Sequence, residues 1–319
     1  KLWITLFAFG LFAICFSGWI FSQSTTREKL FWDNTIRCEA KELAEGEIKS
    51  ENIALPEDFD IPRSILFKTT HTIAEVWLDG EKIYEYGNEP DAPGFMKTPG
   101  CCWHIVDIPE GSAGKSLEVR IIPVYDNYYG NEVSIAYGTR GDCILKILTD
   151  SFKTLLLSCG ILFASIICLV LYLGAVRRKR RDKTEVKIEI FLNLGFFSLL
   201  IAVWTLAQCG FRQFLIPDGR TLYFVEYFSF FLFPVPFNFL LYDICKSRYH
   251  KGALIFPTLY LVNMAGDVLL QCTGIIDIFR MLPVTQVIMV ANAVYIGVLI
   301  LYEARKEGND EAKKFQYPM

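Results

Sequence analysis

Polar side chains inside apolar segments are the residues of this sequence best placed to do chemistry within a membrane. Glu226 lies in the apolar run 221–242, and Asn263 and Asp267 lie four residues apart in the run 252–271, so they share one helix face. An ionisable group in hydrocarbon is costly, and such groups therefore mark functional sites or ion pairs. The basic residues predicted on the same side of the membrane are Arg212, Arg220 and Arg280. Two uses stay open: an outward-facing polar pocket, or ion pairs that hold the helices together.

Aromatic side chains between residues 27 and 150 are the second group of candidates. Their rings can stack on a flat ligand such as a sugar, or they can pack in a protein core. The ligand-binding candidates are Trp77, Tyr84, Trp103, Tyr125 and Tyr128. The same segment holds four cysteines, Cys38, Cys101, Cys102 and Cys143. Four cysteines allow three disulfide pairings, which the sequence does not rank.

No metal-binding or catalytic motif accompanies these residues. The sequence lacks His-Glu-x-x-His, Cys-x-x-Cys and Gly-x-Ser-x-Gly, and its three histidines are His71, His104 and His250. Zinc chemistry and catalytic-triad chemistry are therefore not predicted for this chain, and no cofactor is predicted either.

Six apolar segments are long enough to cross a bilayer, which takes about 20 residues. They are 2–26, 154–176, 190–208, 221–242, 252–271 and 281–302. The first is predicted to be an uncleaved anchor, with a cleaved signal peptide as the alternative. Pro234 and Pro236 fall inside the fourth segment and predict a kink there. The amides predicted to bond between helices are Asn193, Gln208, Asn238, Gln286 and Asn292.

The basic residues predict the orientation, because Lys and Arg are retained in short cytoplasmic loops. Seven of them lie in the loop 177–187. With that loop inside, the N-terminus is also cytoplasmic and residues 27–150 are extracytoplasmic. The outer segment holds 13 Lys+Arg against 23 Asp+Glu, whereas the rest of the chain is net basic. A multi-pass protein of the plasma membrane is predicted, with an acidic outer domain that disfavours nucleic acid.

Residues 27–150 contain short β-rich runs separated by turn residues. The predicted strands are 64–70, 73–78, 82–86, 102–108, 117–124 and 132–137. Asp79-Gly80 predicts a type I′ hairpin, with Trp77 opposite Lys82 and Val76 opposite Ile83. The predicted fold class is therefore a multi-domain membrane protein, with an antiparallel β-sandwich ectodomain of jelly-roll type and an α-helical transmembrane bundle.

Two stretches of the β-rich segment, together with the order of the elements, carry a resemblance to a known family. The stretches are IAEVWLDGEKIYEYG (73–87) and the pair HIVDIP and LEVRIIPV (104–109 and 117–124), and a basic loop follows the next apolar segment. In this layout the chain resembles the bacterial seven-transmembrane receptors with diverse intracellular signalling modules. The resemblance implies an ectodomain like a carbohydrate-binding module, a seven-helix bundle and a cytoplasmic output domain.

The domains expected from this resemblance are an anchor (1–26), an extracytoplasmic sensor (27–150), five helices of a seven-helix bundle (151–302) and a truncated cytoplasmic loop (303–319). The output domain, a GGDEF diguanylate cyclase or a histidine kinase, is not in this sequence. Its presence would make the longer protein an enzyme.

The expected function is that of a signal-transduction receptor. Its expected partners are the lipid bilayer and an extracellular ligand, which is either a small molecule such as a carbohydrate or a protein. A homodimer is expected through the output domain. Two alternatives belong to other classes: a transporter or membrane-embedded enzyme that uses Glu226 and Asp267, and a structural or assembly protein.

Overall fold

A computed structural model describes residues 36–37, 49–55, 63–88, 93–125, 133–182, 188–245 and 249–306. The strands in these ranges are β1 (Ile36–Arg37), β2 (Lys49–Ala54), β3 (Arg63–Thr70), β4 (Thr72–Leu78), β5 (Glu81–Tyr86), β6 (Cys101–Ile108), β7 (Ser116–Pro123) and β8 (Ser134–Gly138). The α-helices are α1 (Arg140–Asp182), α2 (Glu189–Gln208), α3 (Gly219–Leu232), α4 (Pro234–Ile244), α5 (Ile255–Cys272) and α6 (Ile278–Lys306). Two 3₁₀ helices span Gly210–Phe214 and His250–Leu254. The predicted segment 2–26, Cys38 and Tyr128 lie outside the described residues.

Internal contacts divide the chain into two compact units. The first, which we call the β unit, consists of Lys1–Ala92, Lys97–Leu156 and Cys209–Leu222. The second, the helical unit, consists of Pro93–Met96, Leu157–Gln208 and Tyr223–Met319. The segment 209–222 between two helices therefore belongs with the strands, and the short segment Pro93–Met96 between two strands belongs with the helices.

The strands form two antiparallel sheets. Sheet A has the order β1, β8, β3, β6, and sheet B has the order β2, β7, β4, β5. All six predicted strands are confirmed, with ends displaced by two residues at most. The strands β1 and β2 were not predicted, because their sequences IR and KSENIA lack the alternation of apolar and polar residues that identifies a strand.

Apolar residues from both sheets form one hydrophobic cluster. Sheet A contributes Ile65, Phe67, Val106, Ile108 and Ile135, and sheet B contributes Ala74, Val76, Leu78, Leu117, Val119 and Ile121. Within each strand these residues recur at every second position, since successive side chains point to opposite faces of a sheet. The two sheets are thus held together by burial of the apolar side chains that occupy every second position of the strands.

The hairpin between β4 and β5 has the predicted turn. Asp79 and Gly80 both have positive φ, 48° and 84°, as a type I′ turn requires. Trp77 pairs with Lys82 as predicted, but the pairing of Val76 with Ile83 is wrong, because Val76 lies opposite Tyr84. A β-bulge between Val76 and Trp77 shifts the register by one residue. The bulge lets Ile83 and Tyr84, although consecutive, both pack against the core cluster.

Replacing Asp79 tests whether this turn residue itself stabilises the β4–β5 hairpin. An alanine at φ 48° is strained, and Asp79→Ala also removes the carboxylate that accepts a hydrogen bond from Ser116 N at 2.9 Å. We expect the free energy of unfolding of the β unit to fall by about 1–2 kcal/mol. Asp79→Asn tolerates positive φ and keeps an acceptor, so it should lose less than half of that. Equal losses in urea unfolding of the two variants would contradict this account.

The last strand of sheet A leads directly into the first described helix. Thr139 caps α1: its backbone N–H donates to Asp142 Oδ2 at 3.0 Å, and its hydroxyl accepts from Asp142 N at 3.2 Å. One turn later, Cys143 and Ile147 are buried against Leu66 of β3, on the face of sheet A opposite to the shared core. The start of α1 is therefore packed onto the sheet within the β unit.

Five helices in the described part of the chain are long and apolar enough to cross a membrane. They span Arg140–Lys179, Glu189–Gln208, Gly219–Ile244, His250–Cys272 and Ile278–Glu303. They correspond to the last five predicted segments. The third span is divided at Phe233, which lies between the end of α3 at Leu232 and the start of α4 at Pro234, and the two prolines had predicted a kink in this segment. The direction in which each helix crosses the membrane stays a prediction.

Candidate functional site

Trp77 lies on the face of sheet B that points away from the shared core. Its indole N–H donates to Glu75 Oε2 at 3.0 Å. The guanidinium of Arg120 lies 4.5 Å from the ring centroid, and the ammonium of Lys82 lies 5.6 Å from it. Glu118 in turn accepts two hydrogen bonds from Arg120. The ring is thus engaged by charged neighbours through cation–π contacts, which occupy part of the surface on which a ligand would stack.

Tyr84 belongs to a second group, built around a buried histidine. His104 of β6 is 2% exposed, with Thr69 Oγ1 at 2.6 Å from Nε2 and Tyr84 Oη at 2.9 Å from Nδ1. The rings of Phe67 and Tyr86 pack against the imidazole, with centroids 4.8 and 4.7 Å away. Burial lowers the pKa of His104 to about 3. The imidazole is therefore neutral at physiological pH, and both of its nitrogens are used in positioning hydroxyl groups.

The other aromatic candidates have separate surroundings. Trp103 packs beside Leu66, Cys143 and Ile147, with the ammonium of Lys68 at 5.9 Å from its ring. Tyr125 is 2% exposed and contacts His71 edge to face. The structure thus places Tyr84 beside His104 and Tyr125 beside His71, and it gives Trp77 and Trp103 other neighbours. Ligand binding by these residues stays a prediction.

The free edge of β6 is closed by side chains from the segment 209–222. Arg212, 9% exposed, donates from Nη2 to the carbonyl of Cys101 at 2.9 Å, and Gln213 Oε1 accepts from the backbone N–H of Trp103 at 2.9 Å. An unpaired strand edge exposes N–H and C=O groups, and these two side chains satisfy one group of each kind. Cys209 donates a long hydrogen bond to Ser151 O at 3.6 Å, which ties the same segment to α1. The segment is therefore an integral part of the β unit.

Two glycines meet where β6 begins and α3 begins. A Cβ on Gly100, whose φ is +87°, would lie 2.4 Å from the carbonyl oxygen of Gly219. A Cβ on Gly219 would lie 2.3 Å from Tyr86 Oη, whose hydroxyl donates to Pro99 O at 2.7 Å. Only glycine fits at either position, because a Cβ at Gly100 would meet the backbone of Gly219, and a Cβ at Gly219 would lie 2.7 Å from the backbone oxygen of Pro99. The end of the β5–β6 connection is thus fixed against the first residue of α3.

Earlier residues of the same β5–β6 connection, Pro93–Met96, belong to the helical unit, where Met96 is the buried member. Gln271, 1% exposed, donates from Nε2 to Phe95 O at 2.6 Å and to Asp277 Oδ1 at 2.9 Å, and its Oε1 accepts from Ile278 N at 2.8 Å. Met96 is buried in a cluster with residues of α3 and α6, which include Tyr223, Phe231, Ile278 and Met281. One glutamine therefore holds the end of α5, the start of α6 and a strand connection together.

The predicted intramembrane residues lie in two places. Asn263 Nδ2 donates to Asp267 Oδ2 at 2.8 Å and to Thr285 Oγ1 at 2.9 Å, which joins α5 to α6. Asp267 is 5% exposed. Glu226, on α3, accepts from Gln208 Nε2 at 3.3 Å. The predicted shared face of Asn263 and Asp267 is confirmed, and the choice between a pocket and a packing role stays open.

Most of the single amides form the predicted interhelical bonds. Asn193 donates to Asp243, Gln208 to Glu226, and Asn292 to Tyr260 Oη. Asn238 instead bonds within its own helix, to Pro234 O at 2.8 Å, where proline has removed a backbone donor from the helical ladder. Gln286 is exposed on α6.

The contacts of several central residues of this site escaped sequence analysis. Arg212 and Gln271 resemble ordinary loop and helix-end residues, and their partners lie 111 and 176 residues away. Gly100 and Gly219 are recognisable in the sequence as turn residues, since Gly100 follows a proline, Gly219 follows an aspartate, and each lies just before a predicted element. That signal does not indicate that the two glycines meet.

The fold and these contacts define a multi-pass helical membrane protein with a two-sheet β unit. No family model, curated protein or solved structure matches the chain. In the described residues, no group of three or more His, Cys, Asp or Glu side chains is arranged to hold a metal ion.

Proposed function

We propose that the chain is the input and membrane portion of a signal-transduction receptor of the plasma membrane. The β unit is the extracytoplasmic ligand-binding part, the N-terminus is cytoplasmic, and the helices relay the signal to a cytoplasmic output domain of the diguanylate cyclase or histidine kinase type. This assignment accords with the resemblance of the sequence to the seven-transmembrane receptors described above.

The observation that carries the proposal is the exchange of connecting segments between the two units. The connection 209–222 is held by the edge of β6 through Arg212 and Gln213. The part Pro93–Met96 of the β5–β6 connection is held by Gln271 and the cluster around Tyr223. Because each segment is covalently continuous with elements of the other unit, a shift in the strands is carried to the ends of α2, α3, α5 and α6.

The strand order supports a jelly-roll fold for the ligand-binding part. Sheet A contains β1, β3, β6 and β8, and sheet B contains β2, β4, β5 and β7. Eight strands in two four-stranded antiparallel sheets, with most connections crossing between the sheets, are typical of jelly rolls. In this fold the outer face of sheet B around Trp77 is the ligand surface that we favour, because its Arg, Glu and Lys side chains offer donors and acceptors next to an aromatic ring.

A relay requires that a change in the β unit alters the other end of the helices, and Cys245 provides a native probe. Cys245 is 4% exposed and follows the last residue of α4. Arg212→Met removes the hydrogen bond from the guanidinium to the carbonyl of Cys101, and the connection 209–222 is loosened. Since allosteric couplings are typically about 1–3 kcal/mol, we expect maleimide labelling of Cys245 in nanodiscs to change by at least about fivefold.

Arg178→Met is the matched control, because Arg178 is an exposed arginine on α1. It should leave the labelling rate of Cys245 at the wild-type value. If Arg212→Met and Arg178→Met label Cys245 at the same rate, while Arg212→Met alters the β unit, the segment 209–222 is an anchor and the relay is refuted. Peptide mass spectrometry separates Cys245 from the remaining cysteines.

A further inference from the structure

A cysteine, a histidine and a threonine form a connected group at the start of β6. Sγ of Cys101 lies 3.9 Å from Nε2 of His71, and Nδ1 of the same ring lies 2.8 Å from Oγ1 of Thr98. His71 is 4% exposed and Thr98 is fully buried, whereas Cys101 is partly exposed. The thiol is thus the accessible member of the group, and the two residues behind it are fixed.

Cys101 has a histidine beside its sulfur and an arginine beside its main chain. The guanidinium of Arg212 donates to the carbonyl oxygen of Cys101 at 2.9 Å. Thiolates are favoured beside cations and histidines, and reactive cysteines are typically partly exposed in such positions. The neighbouring Cys102 differs in exposure, since it is buried and burial raises the pKa of its thiol.

Hydrogen bonds also hold the imidazole in one orientation. Thr98 Oγ1 accepts the backbone N–H of Gly100 at 3.0 Å and lies within hydrogen-bond distance of His71 Nδ1. The backbone of His71 pairs on both sides, from its N–H to Gly100 O at 3.0 Å and from Val124 N to its carbonyl at 3.2 Å. Tyr125 packs against the ring edge to face. With Nδ1 donating to Thr98, the lone pair of Nε2 faces the sulfur.

We propose that Cys101 is a thiol-modification site that reacts with small disulfides, with His71 as its base and Thr98 as the residue that positions His71. The proton of the Cys101 thiol passes to Nε2 of His71. The thiolate attacks one sulfur of the disulfide, a new S–S bond forms to Cys101 and the original S–S bond breaks. The leaving thiolate takes the proton from His71, so that a mixed disulfide and a free thiol are the products. This site is separate from the receptor proposal, which does not use the thiol.

The reaction is measured on the full chain in nanodiscs at pH 7 with 4,4′-dithiodipyridine. A Cys102→Ser background places the label unambiguously on Cys101, and peptide mass spectrometry follows its formation. Loss of the base lowers the thiolate fraction, an effect partly offset by the greater nucleophilicity of a thiolate of higher pKa. We therefore expect His71→Asn to slow labelling of Cys101 by at least about threefold. Asparagine suits this test because it tolerates the positive φ of 53° at this position.

Two further variants complete the experiment. Thr98→Val leaves the imidazole in place but removes its positioning hydroxyl, and it should slow labelling as well. His250→Asn removes a histidine that contacts Tyr242 in the helical unit, and it should leave the rate unchanged. Equal rates in the background, His71→Asn and Thr98→Val proteins would overturn the proposal, as would a Cys101 that stays unlabelled in the folded background protein. These outcomes are independent of the labelling of Cys245 that tests the relay.

Discussion

Lowering the pH from 7.5 to 4.5 is expected to reduce the free energy of unfolding of the β unit by about 2.5 kcal/mol through His104 alone. In the unfolded chain a histidine has a pKa of about 6.5, whereas burial lowers the pKa of His104 to about 3. Between these values the unfolded state binds the proton that the folded state excludes. The contribution is therefore fully present above pH 6.5 and is lost progressively, by about 1.4 kcal/mol per pH unit, as the pH falls towards 3.

The measurement is urea unfolding at several pH values, followed by pulsed hydrogen exchange of peptides from β3 and β6. His104→Phe is the comparison, since it fills the site with an aromatic ring that does not titrate. It should be less stable at pH 7.5, because Thr69 and Tyr84 lose their hydrogen bonds to His104, but its stability should fall less steeply with pH. Parallel pH profiles for the two proteins would show that His104 is not held neutral by the fold.

Gln271→Leu is expected to destabilise the helical unit by about 3 kcal/mol or more. The substitution keeps the approximate volume but removes one side chain that makes three hydrogen bonds. Phe95 O, Asp277 Oδ1 and Ile278 N each lose the hydrogen bond to Gln271, and the two losses at buried positions, Asp277 and Ile278, cost about 1–3 kcal/mol each. Asp277 is 5% exposed, so its carboxylate has little access to water. The loss should appear as a lower thermal unfolding temperature in detergent.

Gln286→Leu is the control for this prediction. It makes the same chemical change on α6, but at an exposed position of a helix that is apolar enough to face lipid. We expect it to be neutral or slightly stabilising. Equal losses of stability in the two variants would contradict the prediction. They would mean that the loss comes from replacing glutamine by leucine in a helix, and that the three hydrogen bonds of Gln271 add nothing to it.

The elements that were predictable from sequence are those whose causes are local. Alternation of apolar residues located six strands, Asp79-Gly80 located a hairpin turn, and long apolar runs located five described membrane helices, with Pro234 marking a break. Each of these depends on residues within about one element of each other. The bulge beside Val76 was missed because it depends on whether both Ile83 and Tyr84 can reach a core formed by distant strands.

The candidate site was less predictable because its contacts are long-range. Asn263 and Asp267 share a helix face by spacing alone, and this was confirmed, but Thr285 as a common partner was not foreseeable. Gln271 and Arg212 bond backbone carbonyls, which every residue carries, so no pattern of side chains identifies those partners. Polar residues that bond a distant backbone leave no signature in a single sequence.

Hydrogen exchange of residues 97–101 in Gln271→Leu and Gln286→Leu tests the central claim that the β5–β6 connection couples the strands to the helices. Coupling is reciprocal, so a disturbance at Gln271 should be felt in the β unit. The account predicts that in Gln271→Leu the amides of Gly100 and of the first residues of β6 exchange at least about fivefold faster than in the wild type, whereas Gln286→Leu leaves them unchanged. Unchanged exchange at residues 97–101 in Gln271→Leu, with local exchange around Asp277 clearly faster, would contradict the coupling.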